Sequence, residues 1–291
     1  MRILSGNTKI TGLFGYPVRH TVSPAFQNAG FEALDLNYVY LPFEVKPEDL
    51  ESAIEGIKAL GLVGVNCTIP HKEAVIQYLD ELSEEAEAIG AVNTIHNVNG
   101  RLKGYNTDGT GFIQSLNEID PSGVKGKKVF IMGTGGGGRA LAVQFAIEGA
   151  AEVALCDKDE PRAEMLTDHI HSKLNFRSAR FVPFYRPEIA GSLKKADVFV
   201  DATPLGLQED DPVSINDEWL SPSTLVADLI YKPPETPLLK AAKKRGCRTM
   251  NGIGMLLYQG TRAFKIWTDF DAPVDVMRLA LREAVYGRKK D

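Results

Sequence analysis

The stretch Lys128-Val129-Phe130-Ile131-Met132-Gly133-Thr134-Gly135-Gly136-Gly137-Gly138-Arg139 decides the fold. An apolar run of strand length passes directly into glycines spaced G-x-G-x-x-G at Gly133, Gly135 and Gly138. A helical segment over 139–148 follows. That order separates a phosphate-cradling turn from a merely flexible glycine loop. Small residues let main-chain N–H groups approach a pyrophosphate, whose charge is met by the positive end of the helix. Gly133, Thr134, Gly135, Gly136 and Gly137 are therefore expected to line a dinucleotide. The next strand, over 151–156, runs into Asp157, nineteen residues after Gly138. A carboxylate there accepts hydrogen bonds from ribose hydroxyls and favours NAD. Asp159 and Glu160 add charge that repels a 2′-phosphate, whereas Lys158 and Arg162 attract one. The balance predicts NAD, with NADP as the alternative. Asp157 also has a plainer reading, as a cap on the helix expected over 160–175.

Outward from this stretch, short apolar runs alternate with amphipathic ones. Strands are expected over 9–15, 37–45, 62–69, 197–202 and 225–229, and helices over 23–33, 47–60, 71–79, 110–118, 255–267 and 273–286. Ser23 reads as the N-cap of the first helix, with Pro24 at its first position. Residues 93–105 read as a hairpin about Asn99-Gly100. Such alternation predicts an α/β fold with parallel sheets and right-handed crossovers. Asp120-Pro121-Ser122-Gly123 reads as a linker.

The chain has 291 residues, enough for two domains, with 44% hydrophobic and 24% charged residues, ordinary for a soluble protein. Its net charge of −5 argues against a nucleic-acid surface. The three cysteines, Cys67, Cys156 and Cys247, are far apart and include no C-x-x-C pair, so neither a disulfide framework nor a metal site is expected. Free thiols, a polar N-terminus and the lack of a run of about 20 apolar residues predict a cytoplasmic protein without a membrane span.

Four segments of the first 110 residues end strands with hydroxyls, amides or ionisable groups. They are Gly15-Tyr16-Pro17 through Ser23-Pro24, Asn66-Cys67-Thr68-Ile69-Pro70-His71-Lys72, Ala91-Val92-Asn93-Thr94, and Tyr105-Asn106-Thr107-Asp108-Gly109. At the C-terminal edge of a parallel sheet such groups converge on one crevice. Singly each is ordinary: Ser23 can be only a helix cap, and Lys72 only a solvated lysine.

Together with Gly90-Ala91-Val92-Asn93-Thr94, Asp201-Ala202-Thr203-Pro204-Leu205-Gly206 and Gly252-Ile253-Gly254-Met255-Leu256 through Gln259-Gly260, these motifs resemble the shikimate dehydrogenase family, including its shikimate/quinate branch, over essentially the whole chain. The resemblance implies an N-terminal α/β substrate domain, residues 1–107 with terminal helices 255–291, and a Rossmann-type dinucleotide domain with a parallel sheet, residues 108–254. It implies Lys72 and Asp108 as the catalytic pair. Thr21 and Ser23 would hold a substrate carboxylate, which Tyr231 would face. Thr68, Asn93, Asp108 and Gln259 would hold ring hydroxyls. Thr203, Leu229 and Gly252 would flank the nicotinamide. The implied activity is reversible oxidation of shikimate, and of quinate, by hydride transfer in a monomer or homodimer. A quinate-preferring or aminoshikimate enzyme, a non-catalytic sensor, and a folate- or tRNA-linked reductase are the alternatives. Three departures stand out: Thr21 where the family carries serine, Gln27 where histidine is frequent, and Asp157-Lys158-Asp159 where NADP-using members resemble Asn-Arg-Thr.

Overall fold

A computed structural model of the chain describes residues 4–208 and 210–287; the ends of the expected substrate domain, residues 1–3 and 288–291, and Glu209 lie outside the described residues. The chain forms two compact units, Met1–Thr107 with Leu257–Asp291, and Asp108–Leu256.

The first unit contains β1 (Lys9–Gly15), α1 (Ser23–Ala33), β2 (Tyr38–Glu44), α2 (Leu50–Ala59), β3 (Gly64–Cys67), α3 (His71–Ala74), β4 (Glu81–Leu82), α4 (Glu84–Ile89), β5 (Thr94–Val98) and β6 (Arg101–Tyr105). Its sheet order is β2-β1-β3-β5-β6-β4. β1 pairs in parallel with β2 and β3, but β5 pairs antiparallel with β3 and with β6, so the sheet is mixed. The hairpin forms as its sequence predicts: Asn99 and Gly100 both take positive φ, 54° and 87°, the conformation a tight two-residue turn needs. Phe14, Ile54, Ile57, Val65, Val75, Val92, Ile95 and Leu102 form one buried cluster. Each such side chain contributes roughly 1.5–3 kcal/mol on burial. The outer edge of β2 is closed by α1: Tyr40 N–H donates to Asn28 Oδ1 at 2.8 Å, and Asn28 Nδ2 returns a bond to the Tyr40 carbonyl at 3.0 Å. A side-chain amide thus replaces a neighbouring strand at an edge open to further pairing.

Some boundaries differ from expectation. Ser23 is the first residue of α1 rather than its cap; Val22 holds the cap position and makes no side-chain cap bond. The helix expected from Pro47 enters through a 3₁₀ turn, Pro47–Asp49, before α2. β3 stops at Cys67 because the Thr68 carbonyl is taken by the His71 N–H at 2.8 Å, which starts the turn into α3.

The second unit contains α5 (Asp108–Ile119), β7 (Lys128–Met132), α6 (Gly136–Ile147), β8 (Glu152–Cys156), α7 (Glu160–Leu174), β9 (Ala179–Phe181), α8 (Arg186–Leu193), β10 (Val198–Asp201), β11 (Leu225–Asp228), α9 (Pro237–Lys244) and β12 (Arg248–Met250). Its sheet, β12-β11-β10-β7-β8-β9, is parallel throughout. β10 and β11 are buried at every position, as expected of strands covered on both faces. α10 (Ile253–Thr268) leads back to the first unit, which α11 (Val274–Tyr286) completes by packing on α1. Among the described residues no helix is long and apolar enough to cross a membrane.

Candidate active site

In the first unit the candidate residues sit where strands end. Thr68 follows β3, and its N–H donates to the Phe14 carbonyl at 2.9 Å. Lys72 is the second residue of α3 and half-buried, and its carbonyl accepts the Val92 N–H at 2.7 Å. Its ammonium lies near Cys67. Burial pushes that thiol up to about 12, and the lysine opposes the rise. Thr21 Oγ1 accepts the main-chain N–H of Ser23 at 3.3 Å, so the Thr21 side chain is tied to the backbone of the loop.

Ser23, Asn93 and Gln259 belong to one buried hydrogen-bonded array. Asn93 Oδ1 accepts from the Thr107 N–H at 2.9 Å and from Thr94 Oγ1 at 3.0 Å. Because a backbone N–H can only donate, that bond fixes which end of the amide is oxygen. Asn93 Nδ2 donates to Thr107 Oγ1 at 2.9 Å, and that hydroxyl reaches the Gln259 carbonyl at 3.0 Å. Asn66 Nδ2 donates to the Asn93 carbonyl at 3.1 Å and to Thr94 Oγ1 at 2.9 Å, while Asn66 Oδ1 accepts from Tyr40 at 2.8 Å. The Ser23 hydroxyl lies beside the same phenol. Tyr40, Asn66, Thr94 and Thr107 were not assigned roles from sequence, although Asn66, Thr94 and Thr107 lie inside the quoted motifs. Only their polarity within apolar surroundings marked them.

The remaining candidates fall in the second unit, most of them at the C-terminal ends of its strands. Asp108 opens α5 and is buried. The turn after β7 requires glycine. Gly133 has φ +95°, and a Cβ there would crowd Ala202 and the Thr203 nitrogen at 2.8–3.0 Å. A Cβ on Gly138 would fall on the Gly133 carbonyl. Gly137 would meet Leu229 Cδ1 at 3.0 Å, and a Cβ on Gly252 would fall on the Leu229 carbonyl. Thr203, Leu229 and Gly252 are thereby gathered around Gly133–Gly138. This is a bare main-chain cradle that side chains would fill, and it fits a pyrophosphate.

Two aspartates not foreseen from sequence hold the neighbouring turns. Asp201 ends β10 and Asp228 ends β11, paired in register. Asp201 Oδ1 accepts the Thr203 N–H at 2.9 Å; Asp228 accepts from the Ile230 N–H at 2.9 Å and from Thr236 Oγ1 at 2.6 Å. Burial pushes Asp228 up to about 7, with Asp201 adding repulsion. Burial raises Asp201 too, and its Oδ2 has no hydrogen-bond partner among the described residues, although Ser214 lies close. Burial also raises Tyr231. The available signal was an acidic residue closing an apolar strand just before a turn.

Asp157 is engaged by the turns around it. Its Oδ2 accepts the N–H and hydroxyl of Thr134 at 2.6 and 2.9 Å, and its Oδ1 accepts the Asp159 N–H at 3.0 Å. Burial opposes its charge, but these bonds and Arg162 outweigh burial and hold the carboxyl below the usual range. The cap of α7 is Asp159, which accepts the Arg162 N–H. Lys158 and Arg162 are exposed beside it.

The family model described as the shikimate dehydrogenase substrate binding domain matches residues 13–95, and that of the shikimate 5′-dehydrogenase C-terminal domain matches residues 252–282. The chain is 45% identical over 284 residues to the shikimate dehydrogenase (NADP(+)) of Desulforamulus reducens, covering 97% of each. It is 45% identical over 282 residues to the enzyme of the same name from Methanopyrus kandleri, covering 96% of this chain and 97% of that protein. A crystal structure of a shikimate dehydrogenase in complex with NADP+ superposes with a TM-score of 0.91 at 41% identity, covering 97% of this chain and 98% of the other. These relatives overturn the expectation that Asp157 favours NAD. In the structure the Asp157 carboxylate holds the glycine turn, and Lys158 and Arg162 supply positive charge beside it, which suits a 2′-phosphate. With identity of this order along nearly its whole length, the chain belongs to the shikimate dehydrogenase family.

Proposed function

We propose that this protein catalyses the reversible, NADP+-dependent oxidation of shikimate to 3-dehydroshikimate, with Lys72 and Asp108 handling the proton. The first unit would take the acid and the second the dinucleotide. The observation that carries this reading is the array of neutral hydroxyls and amides around Asn93. A polyhydroxylated acid needs many directional hydrogen bonds, and amides whose polarity is already set bind it without reorganising.

In this reading Thr21 and Ser23 hold the carboxylate through neutral hydroxyls, with Tyr231 facing it. Thr68, Asn93 and Gln259 orient the ring hydroxyls. When bound, NADP+ supplies the hydride acceptor. The glycine turn at Gly133–Gly138 would hold its pyrophosphate, Thr203, Leu229 and Gly252 its nicotinamide end, and Lys158 and Arg162 its 2′-phosphate. Lys72 accepts the proton of the reacting hydroxyl, and its ammonium stabilises the developing alkoxide, or the carbonyl oxygen in reverse. Asp108 would be the second proton-handling group. Quinate would be the lesser substrate: the Thr21 methyl takes space beside the carboxylate loop, where quinate carries an extra hydroxyl.

The test is kcat/KM for shikimate and quinate with NADP+ and NAD+. The expected result is that shikimate with NADP+ exceeds every other combination by about tenfold or more, a difference of ~1.4 kcal/mol in transition-state binding. Absence of turnover with shikimate and NADP+, or faster turnover of quinate, would overturn it.

A further inference from the structure

Tyr40 lies outside every segment to which a role has been assigned, yet its hydroxyl is the junction of the array. The residue is 1% exposed, on the edge strand β2, and its main chain is clamped from α1 by Asn28. Its ring packs near Trp267, centroids 6.0 Å apart. The phenol is therefore held in place from both main chain and ring.

The direction of its hydrogen bond follows from its neighbours. Asn66 Nδ2 faces the Asn93 carbonyl, which can only accept, so the other end of the Asn66 amide is oxygen. Tyr40 must donate its single proton to that oxygen, at 2.8 Å. Only lone pairs then remain on the phenol oxygen, and they face the Ser23 hydroxyl. The phenol thereby fixes where the Ser23 side chain sits. On the other side, the Asn66 amide sets Thr94, and Thr94 donates to Asn93 Oδ1. One hydroxyl on β2 thus touches the array at two separated points, Ser23 of the carboxylate loop and the Asn66 amide that supports Asn93.

We infer that Tyr40 is a positioning residue for substrate recognition: by donating to Asn66 and packing its hydroxyl against Ser23, it holds in place the hydroxyl and amide array that binds the acid. This inference rests on the proposed function. Its reach is specific, because none of these bonds involves the glycine turn of the second unit.

The test is Tyr40→Phe, which keeps the ring and removes the hydroxyl. Thr94→Val serves as a second break further along the array. Tyr38→Phe is the control, since Tyr38 lies on the same strand and its hydroxyl donates instead to the Trp267 carbonyl at 3.3 Å. Wild-type turnover of shikimate is established first, so failure there counts against the function and not against Tyr40. The expected result is a rise of about tenfold in KM for shikimate for Tyr40→Phe and a smaller rise for Thr94→Val. In both, KM for NADP+ stays at wild type and kcat changes by less than about threefold, as for loss of binding shared by ground and transition states. Tyr38→Phe keeps the wild-type KM. A merely structural role would lower thermal stability and active fraction while leaving KM unmoved, because every folded molecule would bind normally. Should Tyr40→Phe not fold, Thr94→Val carries the test. Wild-type KM for shikimate in the variants that fold, or an equal rise in both Michaelis constants, would overturn the inference.

Discussion

The two units solve the problem of interior polarity in opposite ways. The first buries neutral groups, among them Tyr40, Asn66, Asn93, Thr94 and Thr107, and satisfies them by mutual hydrogen bonds. The second keeps its central strands apolar and places carboxylates at their tips: Asp201, Asp228 and, beyond β8, Asp157. Each of these carboxylates accepts the main-chain N–H two residues on, and Asp157 also accepts that of Thr134 in the glycine turn. Neutral networks suit recognition of a ligand by direction, because each donor and acceptor has one orientation. Carboxylates at strand ends suit a rigid, bare turn, because charge-assisted bonds hold the backbone while glycine keeps it uncovered. Under the proposed function, selectivity for the acid would lie in the first unit and the shape of the phosphate cradle in the second.

The contrast breaks most severely at Lys72, the single charged side chain among the candidates of the first unit. Lys72→Ala is expected to lower kcat by about 10²–10⁴ with KM for shikimate nearly constant, the range for losing a proton-transfer group. A raised KM with kcat intact would make the lysine one more binding group and erase its distinction from the neutral array. Next in size is Gly138→Ala. The added Cβ would land on the Gly133 carbonyl and force the turn open. KM for NADP+ should rise by about 10² and that for shikimate remain within about threefold. Equal loss of both ligands would show that the two units do not divide the work.

The smallest effect is a pH dependence confined to the second unit. Asp228 is pushed up to about 7 by burial and by Asp201, against ~3.9 for an unfolded aspartate. The folded chain therefore retains a proton that the unfolded chain has released. The resulting stabilisation is complete below about pH 4 and is lost as pH rises through about 7. Tm should fall between about pH 5 and pH 8, and Asp228→Asn should flatten that fall by roughly 3–5 °C. Comparison with wild type cancels the opposing contribution of His96, whose pKa burial lowers. An unchanged slope would place the proton elsewhere.

The strand–turn–helix at 128–147 was legible because its signal is local: an apolar run, then glycines whose spacing has a steric cause. The Asn99-Gly100 hairpin was legible for the same reason. Short elements escaped. β9 and β12 have three residues each, too few for a period, and α8 and α9 have eight each. The mixed pairing of the first sheet depends on which strand lies beside β3, a long-range choice that alternation alone does not encode. The array escaped for a related reason: Tyr40 and Asn66 are 26 residues apart, and Thr107 and Gln259 are 152 apart. Asp157 misled because its place in the motif was read without its partners. Its carboxylate is engaged by Thr134 and Asp159, partners that the spacing of the motif does not reveal.

The central claim is that a hydride leaves the ring carbon bearing the oxidised hydroxyl of shikimate and arrives on NADP+. Shikimate deuterated at that carbon, incubated with the enzyme and NADP+, tests it directly by mass spectrometry of the reduced dinucleotide. The account predicts one deuterium on each NADPH formed. Reduced dinucleotide without the label, or no reduced dinucleotide at all, would contradict it.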